Sequence, residues 1–154
     1  MKGLSSAARG VIESFSSLEV LSDYYLIGGT SLALQINHRL SEDLDFCQWI
    51  PRYHVSYAIP QVQILEELKK RFHQVDENRI DFHQVNYVIS DPPVRITFYQ
   101  TALSKPIFKP IPLIGNISMA DLSVLGGSKM YVITQRDALR DYYDFEQNHS
   151  QSVV

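Results

Sequence analysis

The chain has 154 residues, of which 45% are hydrophobic and 20% charged, and it carries a formal net charge of −3 at pH 7. That is enough chain to bury a proper core, at an ordinary globular composition. Net acidity argues against broad, non-specific nucleic-acid binding, and the single cysteine, Cys47, excludes an internal disulfide.

No apolar run approaches the ~18 residues needed to cross a bilayer. Met1-Lys2-Gly3-Leu4-Ser5-Ser6 lacks the apolar core of a signal peptide. A reducing cytoplasm is therefore the expected location, and one domain over 1–154 the expected organisation, because no repeat or linker interrupts the chain. Cys47 reads as a small buried residue rather than a nucleophile, since no base is identifiable beside it.

Ala8, Val11, Ile12, Phe15, Leu18 and Leu21 recur at helical spacing, which predicts a first helix over Ser5–Leu21. Tyr24-Tyr25-Leu26-Ile27 suits a short buried strand, and Thr30 to Ile36 a short helix. Asp43-Leu44-Asp45-Phe46 alternates and predicts a strand ending near Trp49. Val62, Leu65, Leu68 and Phe72 stripe a helix after Pro60. Val85–Ile89 and Val94–Tyr99 are two strands joined by Ser90-Asp91-Pro92-Pro93. The proline-rich stretch from Ser104 to Pro112 reads as loop or edge, and Ile117–Met119 as a short strand. A helix begins at Asp121, capped by Ser118 or Asp121 itself. Gly126-Gly127 inside it implies a close helix contact, a kink or a later start. Arg136-Asp137 marks a break before a last helix reaching about Asn148, and the tail from Ser150 to Val154 is expected to fray.

Two features stand together at the head of the chain. Gly28-Gly29 falls at a strand-to-helix turn, where the backbone can approach a phosphate and the free N–H groups and dipole of the helix start favour an anion. Asp43 and Asp45, two apart, share one face of a strand and can hold hard cations, while Leu44 and Phe46 fill the core face. A Gly-Gly pair alone is usually a plain turn, and an exposed Asp-x-Asp is usually solvated. Together they place a phosphate cradle opposite a metal clamp, and two adjacent like charges are costly without a cation.

Leu26-Ile27-Gly28-Gly29-Thr30-Ser31-Leu32-Ala33-Leu34-Gln35 followed by His38-Arg39-Leu40-Ser41-Glu42-Asp43-Leu44-Asp45-Phe46 resembles the signature of the AbiEii/AbiGii nucleotidyltransferases. Lys129 to Arg136 and Arg140-Asp141-Tyr142-Tyr143-Asp144-Phe145 are similar to the family's later block. The resemblance implies an α/β (α+β) nucleotidyltransferase fold of the DNA polymerase β type, with a mixed central sheet flanked by helices. It implies NMP transfer from an NTP to an RNA (tRNA) or protein acceptor, and the toxin half of a toxin–antitoxin or phage-defence pair with a cognate antitoxin. Asp43 and Asp45 would hold Mg²⁺ or Mn²⁺. Gly28, Gly29, Thr30 and Ser31 would bind the nucleotide's phosphates, and Lys129 would neutralise triphosphate charge. Asp141 is the matched carboxylate of the last helix; Asp144, on the same face, can instead pair with Arg140 or Arg136. Arg39 either reaches a phosphate or complements the preceding helix end, and His38 is expected to be a surface or hydrogen-bonded histidine.

Enzymes of this fold usually add a third carboxylate from a later strand. Thr97 stands where it is sought, with Asp81 and Asp91 as substitutes, and a hydroxyl is neither a general base at neutral pH nor a charge-neutralising ligand. Two alternatives follow: a catalytically impaired nucleotide-binding module of the same fold, or a kinase-like phosphotransferase that leaves ADP rather than pyrophosphate.

Overall fold

The structure, a computed structural model, describes residues 1–135 and 138–151. Its centre is a mixed seven-stranded sheet in the order β3-β4-β5-β2-β1-β7-β6. The strands are β1 (Tyr25–Ile27), β2 (Leu44–Trp49), β3 (Val75–Arg79), β4 (Gln84–Ser90), β5 (Pro93–Thr101), β6 (Ile111–Ile114) and β7 (Ile117–Met119). The helices are α1 (Ser6–Phe15), α2 (Gly28–Ile36), α3 (Gln61–Arg71), α4 (Leu122–Gln135) and α5 (Leu139–Gln151).

β2 lies at the middle, antiparallel to β1 and parallel to β5, with Asp45 opposite Ile27 on one side and Thr97 on the other. Side chains alternate across a strand, so each face of β2 has its own task. Leu44 and Phe46 point into the main core, where Phe46 stacks on Phe98 at 5.2 Å and meets the edge of Phe15 from α1. Asp45, Cys47 and Trp49 take the opposite face, and a smaller apolar cluster of Ile27, Leu32, Cys47, Ala120, Val124 and Leu125 joins that face to α2 and α4.

The first helix is shorter than its apolar spacing predicts. Ser5 caps it by accepting from the Ala8 N–H at 3.2 Å, but it ends at Phe15, and a separate 3₁₀ turn covers Glu19–Asp23. Ser14, Ser16 and Ser22 each donate to a carbonyl three residues back, the competition by which serine weakens a helical ladder. Strand β3 is absent from the sequence-based expectation for a physical reason: Asp76, Glu77, Asn78 and Arg79 are all exposed at a sheet edge, so no apolar alternation marks it. Strand β6 begins at Ile111, inside the proline-rich stretch read as loop or edge, and occupies the other edge.

Helix α4 begins at Leu122, with Asp121 Oδ1 accepting the Val124 N–H at 3.1 Å as its cap. It runs straight through Gly126-Gly127. A side chain at Gly126 would meet Asn148 Nδ2 of α5 at 2.8 Å, so that glycine serves a close helix contact. The break read at Arg136-Asp137 and the residues 152–154 lie outside the described residues; α5 extends past Asn148 to Gln151.

Candidate active site

Gly28 opens α2 directly from β1. Its φ of +69° is the left-handed conformation that glycine adopts without a Cβ penalty, and a Cβ there would meet Asp45 Oδ2 at 2.9 Å. At Gly29 an added Cβ would collide with the Arg39 guanidinium and lie 3.2 Å from Asp144 Oδ2. The two glycines therefore let the head of α2 lie against the acidic strand and against the charged cluster of the C-terminal helices.

The Thr30 hydroxyl is turned into the fold rather than presented to a phosphate, and Ser31, also expected at the nucleotide, is enclosed with it. Both are buried. Thr30 Oγ1 shares a hydrogen bond of 2.7 Å with Ser41 Oγ and donates to the Asp43 carbonyl, while Ser31 Oγ donates to the Ala120 carbonyl at 3.4 Å. These hydroxyls are committed inside the fold, where Thr30 fixes the backbone that presents Asp43. The same bond explains a second correction: Asp43 precedes β2, which starts at Leu44, so the pair is not two residues of one regular strand.

Asp43 and Asp45 remain neighbours. Burial pushes the Asp45 carboxyl above the usual carboxylate range, and the Asp43 charge adds to it; a hydrogen bond with Thr97, then Arg95 and Lys129, oppose the rise without cancelling it. Asp43, about one-third exposed, accepts from Arg95 Nη2 at 2.5 Å. Thr97 stands beside Asp45 in register, so a hydroxyl stands at the position where a third carboxylate is sought. Asp81 accepts from the His83 N–H at 2.6 Å in the β3–β4 connection, and Asp91 lies between β4 and β5. Among the described residues no cluster of three His, Cys, Asp or Glu side chains is arranged to hold a metal.

The donors nevertheless fit a magnesium-like ion, which uses one or two carboxylates and leaves its other positions to water and substrate phosphates. An enclosed carboxylate beside a second carboxylate, hydrogen-bonded by a hydroxyl, is electrostatically short of one cation.

The second half of the site comes from α4 and α5. Lys129 is buried, with Nζ 2.8 Å from Asp141 Oδ1 and 2.6 Å from Asp144 Oδ2. Asp144, fully enclosed, also receives Arg39 through Nε at 2.8 Å and Nη2 at 2.9 Å, and His38 Nε2 at 2.7 Å. Burial alone would raise the Asp144 carboxyl, but the hydrogen bonds from Arg39, His38 and Lys129 hold it well below the usual carboxylate range. So Asp144 pairs with Arg39 and His38, 105 and 106 residues away, rather than with Arg140; the other expected partner, Arg136, lies outside the described residues. No local pattern signals such a pairing; the only hint is its i+3 spacing from Asp141. Of the two alternatives for His38, surface or hydrogen-bonded, it is the hydrogen-bonded one, at 2% side-chain exposure, with the Tyr143 ring 5.6 Å away.

Cys47 is buried, and burial pushes its thiol up to about 12, the state of an inert core residue. No helix of the described residues is long and apolar enough to cross a membrane.

The family model for the nucleotidyl transferase AbiEii toxin, of type IV toxin–antitoxin systems, matches residues 13–152. The chain belongs to that family. Among individual relatives, this chain is 25% identical over 152 residues to the uncharacterized protein aq_aa25 of Aquifex aeolicus (strain VF5), covering 94% of itself and 66% of that protein. The solved structure of JHP933 from Helicobacter pylori superposes with a TM-score of 0.56 at 18% identity, covering 92% of this chain and 66% of that one. This chain thus spans just under two thirds of the length of these relatives. The nucleotidyltransferase fold expected from the sequence, a mixed sheet flanked by helices, is the fold observed.

Proposed function

We propose that residues 1–154 act as one nucleotidyltransferase domain, the toxin component of a two-protein system, which transfers a nucleoside monophosphate from an NTP to a hydroxyl of RNA, such as tRNA, or of a protein. The observation carrying this reading is convergence. The Gly28–Gly29 turn, the Asp43/Asp45 pair and the Lys129–Asp141–Asp144–Arg39 cluster come from opposite ends of the sequence and meet at the head of α2. Family membership supports the reaction class.

Asp43 and Asp45 would hold Mg²⁺ or Mn²⁺, and such an ion, when bound, neutralises phosphate charge and steadies the leaving pyrophosphate. The chain's own residues do the rest. The backbone N–H groups at Gly28 and Gly29, at the positive end of α2, receive phosphate oxygens. Lys129 supplies a fixed ammonium whose position is set by two carboxylates, and Asp144 pins Arg39 beside it. Thr97, beside Asp45 in register, opposes the rise that burial imposes on its carboxyl. The cytoplasm, where NTPs and a cognate antitoxin coexist, is the compartment this reading requires.

Titration calorimetry of each NTP, with and without Mg²⁺, tests the reading against Asp43→Ala/Asp45→Ala. Mg²⁺-dependent binding that the double substitution removes is the expected result. Binding that survives the double substitution, or no binding at all, defeats it. Thr97 in register with Asp45 favours a second reading, a nucleotide-binding module without turnover. A labelled-NTP assay with RNA and protein acceptors separates the two: labelled product and pyrophosphate mark a transferase, binding without product marks the module, and ADP marks a phosphotransferase.

A further inference from the structure

Among the described residues, Arg39 and Arg95 touch carboxylates of this site, and they are held very differently. Arg39 is clamped bidentately onto the fully enclosed Asp144, which also carries His38 and Lys129. Arg95, on β5, reaches Asp43 through Nη2 alone, and its side chain is 48% exposed while that of Asp43 is 35% exposed. An exposed single-contact pair of that kind is weakly held, so separating it costs little. Arg95 and Thr97 lie two apart on β5 and so share the sheet face that carries Asp45, and the Arg95 charge acts on Asp45 as well.

We infer that Arg95 is an exchangeable counter-ion and a further nucleotide-binding residue of this site. In the free protein its guanidinium neutralises Asp43; when a divalent cation takes the Asp pair, the guanidinium is released and binds the phosphate chain of the incoming nucleoside triphosphate. A guanidinium has five N–H donors in a rigid fork, and only Nη2 is engaged by a carboxylate here, so its remaining donors are available to phosphate oxygens. The charge count follows the same path. Free, one guanidinium offsets one of two neighbouring carboxylates. Loaded, the cation offsets the carboxylates and Arg95 offsets the triphosphate. This inference rests on the metal–nucleotide reading of the Asp43/Asp45 pair given above.

The inference predicts opposite effects of one substitution. Arg95→Ala removes a competitor for Asp43, so Mn²⁺ binding without nucleotide, followed by electron paramagnetic resonance, should tighten up to about fivefold, the equivalent of an exposed ion pair. The same variant should bind Mg²⁺–NTP roughly tenfold more weakly, the scale of a lost charge-assisted hydrogen bond. Nucleoside monophosphate binding should change much less, and Arg95→Lys should restore part of the triphosphate affinity. Circular dichroism melts of both variants should match the native chain, because the pair lies at the surface. Unchanged affinities for both ligands, or weaker Mn²⁺ binding in a variant with a native melt, would overturn the exchange. Failure of the underlying reading looks different: native protein that binds no Mg²⁺–NTP, or an Asp43→Ala/Asp45→Ala variant that binds it normally, removes the site and the inference with it.

Discussion

Substituting Asp45 by Asn would separate two properties that the native carboxylate combines. The amide keeps the size and a hydrogen bond with Thr97, but it ends the burial of a charge beside Asp43. The expected outcome is a gain of about 1 kcal/mol in urea-denaturation stability together with loss of Mg²⁺-dependent nucleotide binding, the usual exchange of stability against function at a polar site. The difference shrinks with acid. A carboxyl raised in the folded state binds its proton before the unfolded chain does, so the native protein should close the gap on the Asp45→Asn variant as pH falls from neutrality towards 4. Asp144 behaves the other way. Its folded carboxyl is lowered, so its stabilisation is complete above the ordinary aspartate range and fades only as pH drops below about 4. Asp144→Ala should cost about 3–5 kcal/mol at pH 7, because it leaves the enclosed His38 and Lys129, and the partly exposed Arg39, with one carboxylate fewer.

At the scale of elements, the adjacent glycines of α4 have different roles, and substitution should tell them apart. Gly127→Ala meets nothing within 4 Å and should stabilise by about 0.5–1 kcal/mol through helix propensity. Gly126→Ala presses on Asn148 Nδ2, which is buried and donates to the Leu122 carbonyl at 3.0 Å. That bond must bend or break, so thermal melting should show Gly126→Ala below both the native chain and Gly127→Ala. The sequence reveals that this glycine pair needs an explanation, because two glycines in a helix are expensive, but it does not say which glycine faces a neighbour. The same division runs through the fold. Elements with an apolar rhythm, such as β2, β4, β5 and α3, are legible from sequence alone. Edge strand β3 is not, because four of its five residues are exposed and nothing in its own composition requires pairing. The end of α1 is missed because serine hydroxyls, rather than a proline or glycine, interrupt it.

Over the whole molecule, the candidate site is legible in its parts and not in its assembly. Gly28, Gly29, Asp43 and Asp45 stand within one stretch and announce themselves by spacing. That Thr30 turns inward, that Asp43 leans on Arg95 and that Asp144 gathers partners from 105 and 106 residues away are consequences of packing between distant segments. Helix α2 packs on both α4 and α5, so the Arg39–Asp144 clamp ties the N-terminal third of the chain to its last helix. Hydrogen–deuterium exchange should therefore show a linked response. Asp144→Asn should raise uptake in residues 29–40 and 139–148 together and leave β4 at native levels; a rise confined to α5 would argue against the tie. The clamp also imposes an order in time on synthesis. While the ribosome is still making α5, the growing chain already carries the glycine turn and the acidic pair, but Lys129 and Arg39 have no Asp144 to fix them. Until Asp144 has left the ribosome, Arg39 and the glycine turn cannot be tied to α5.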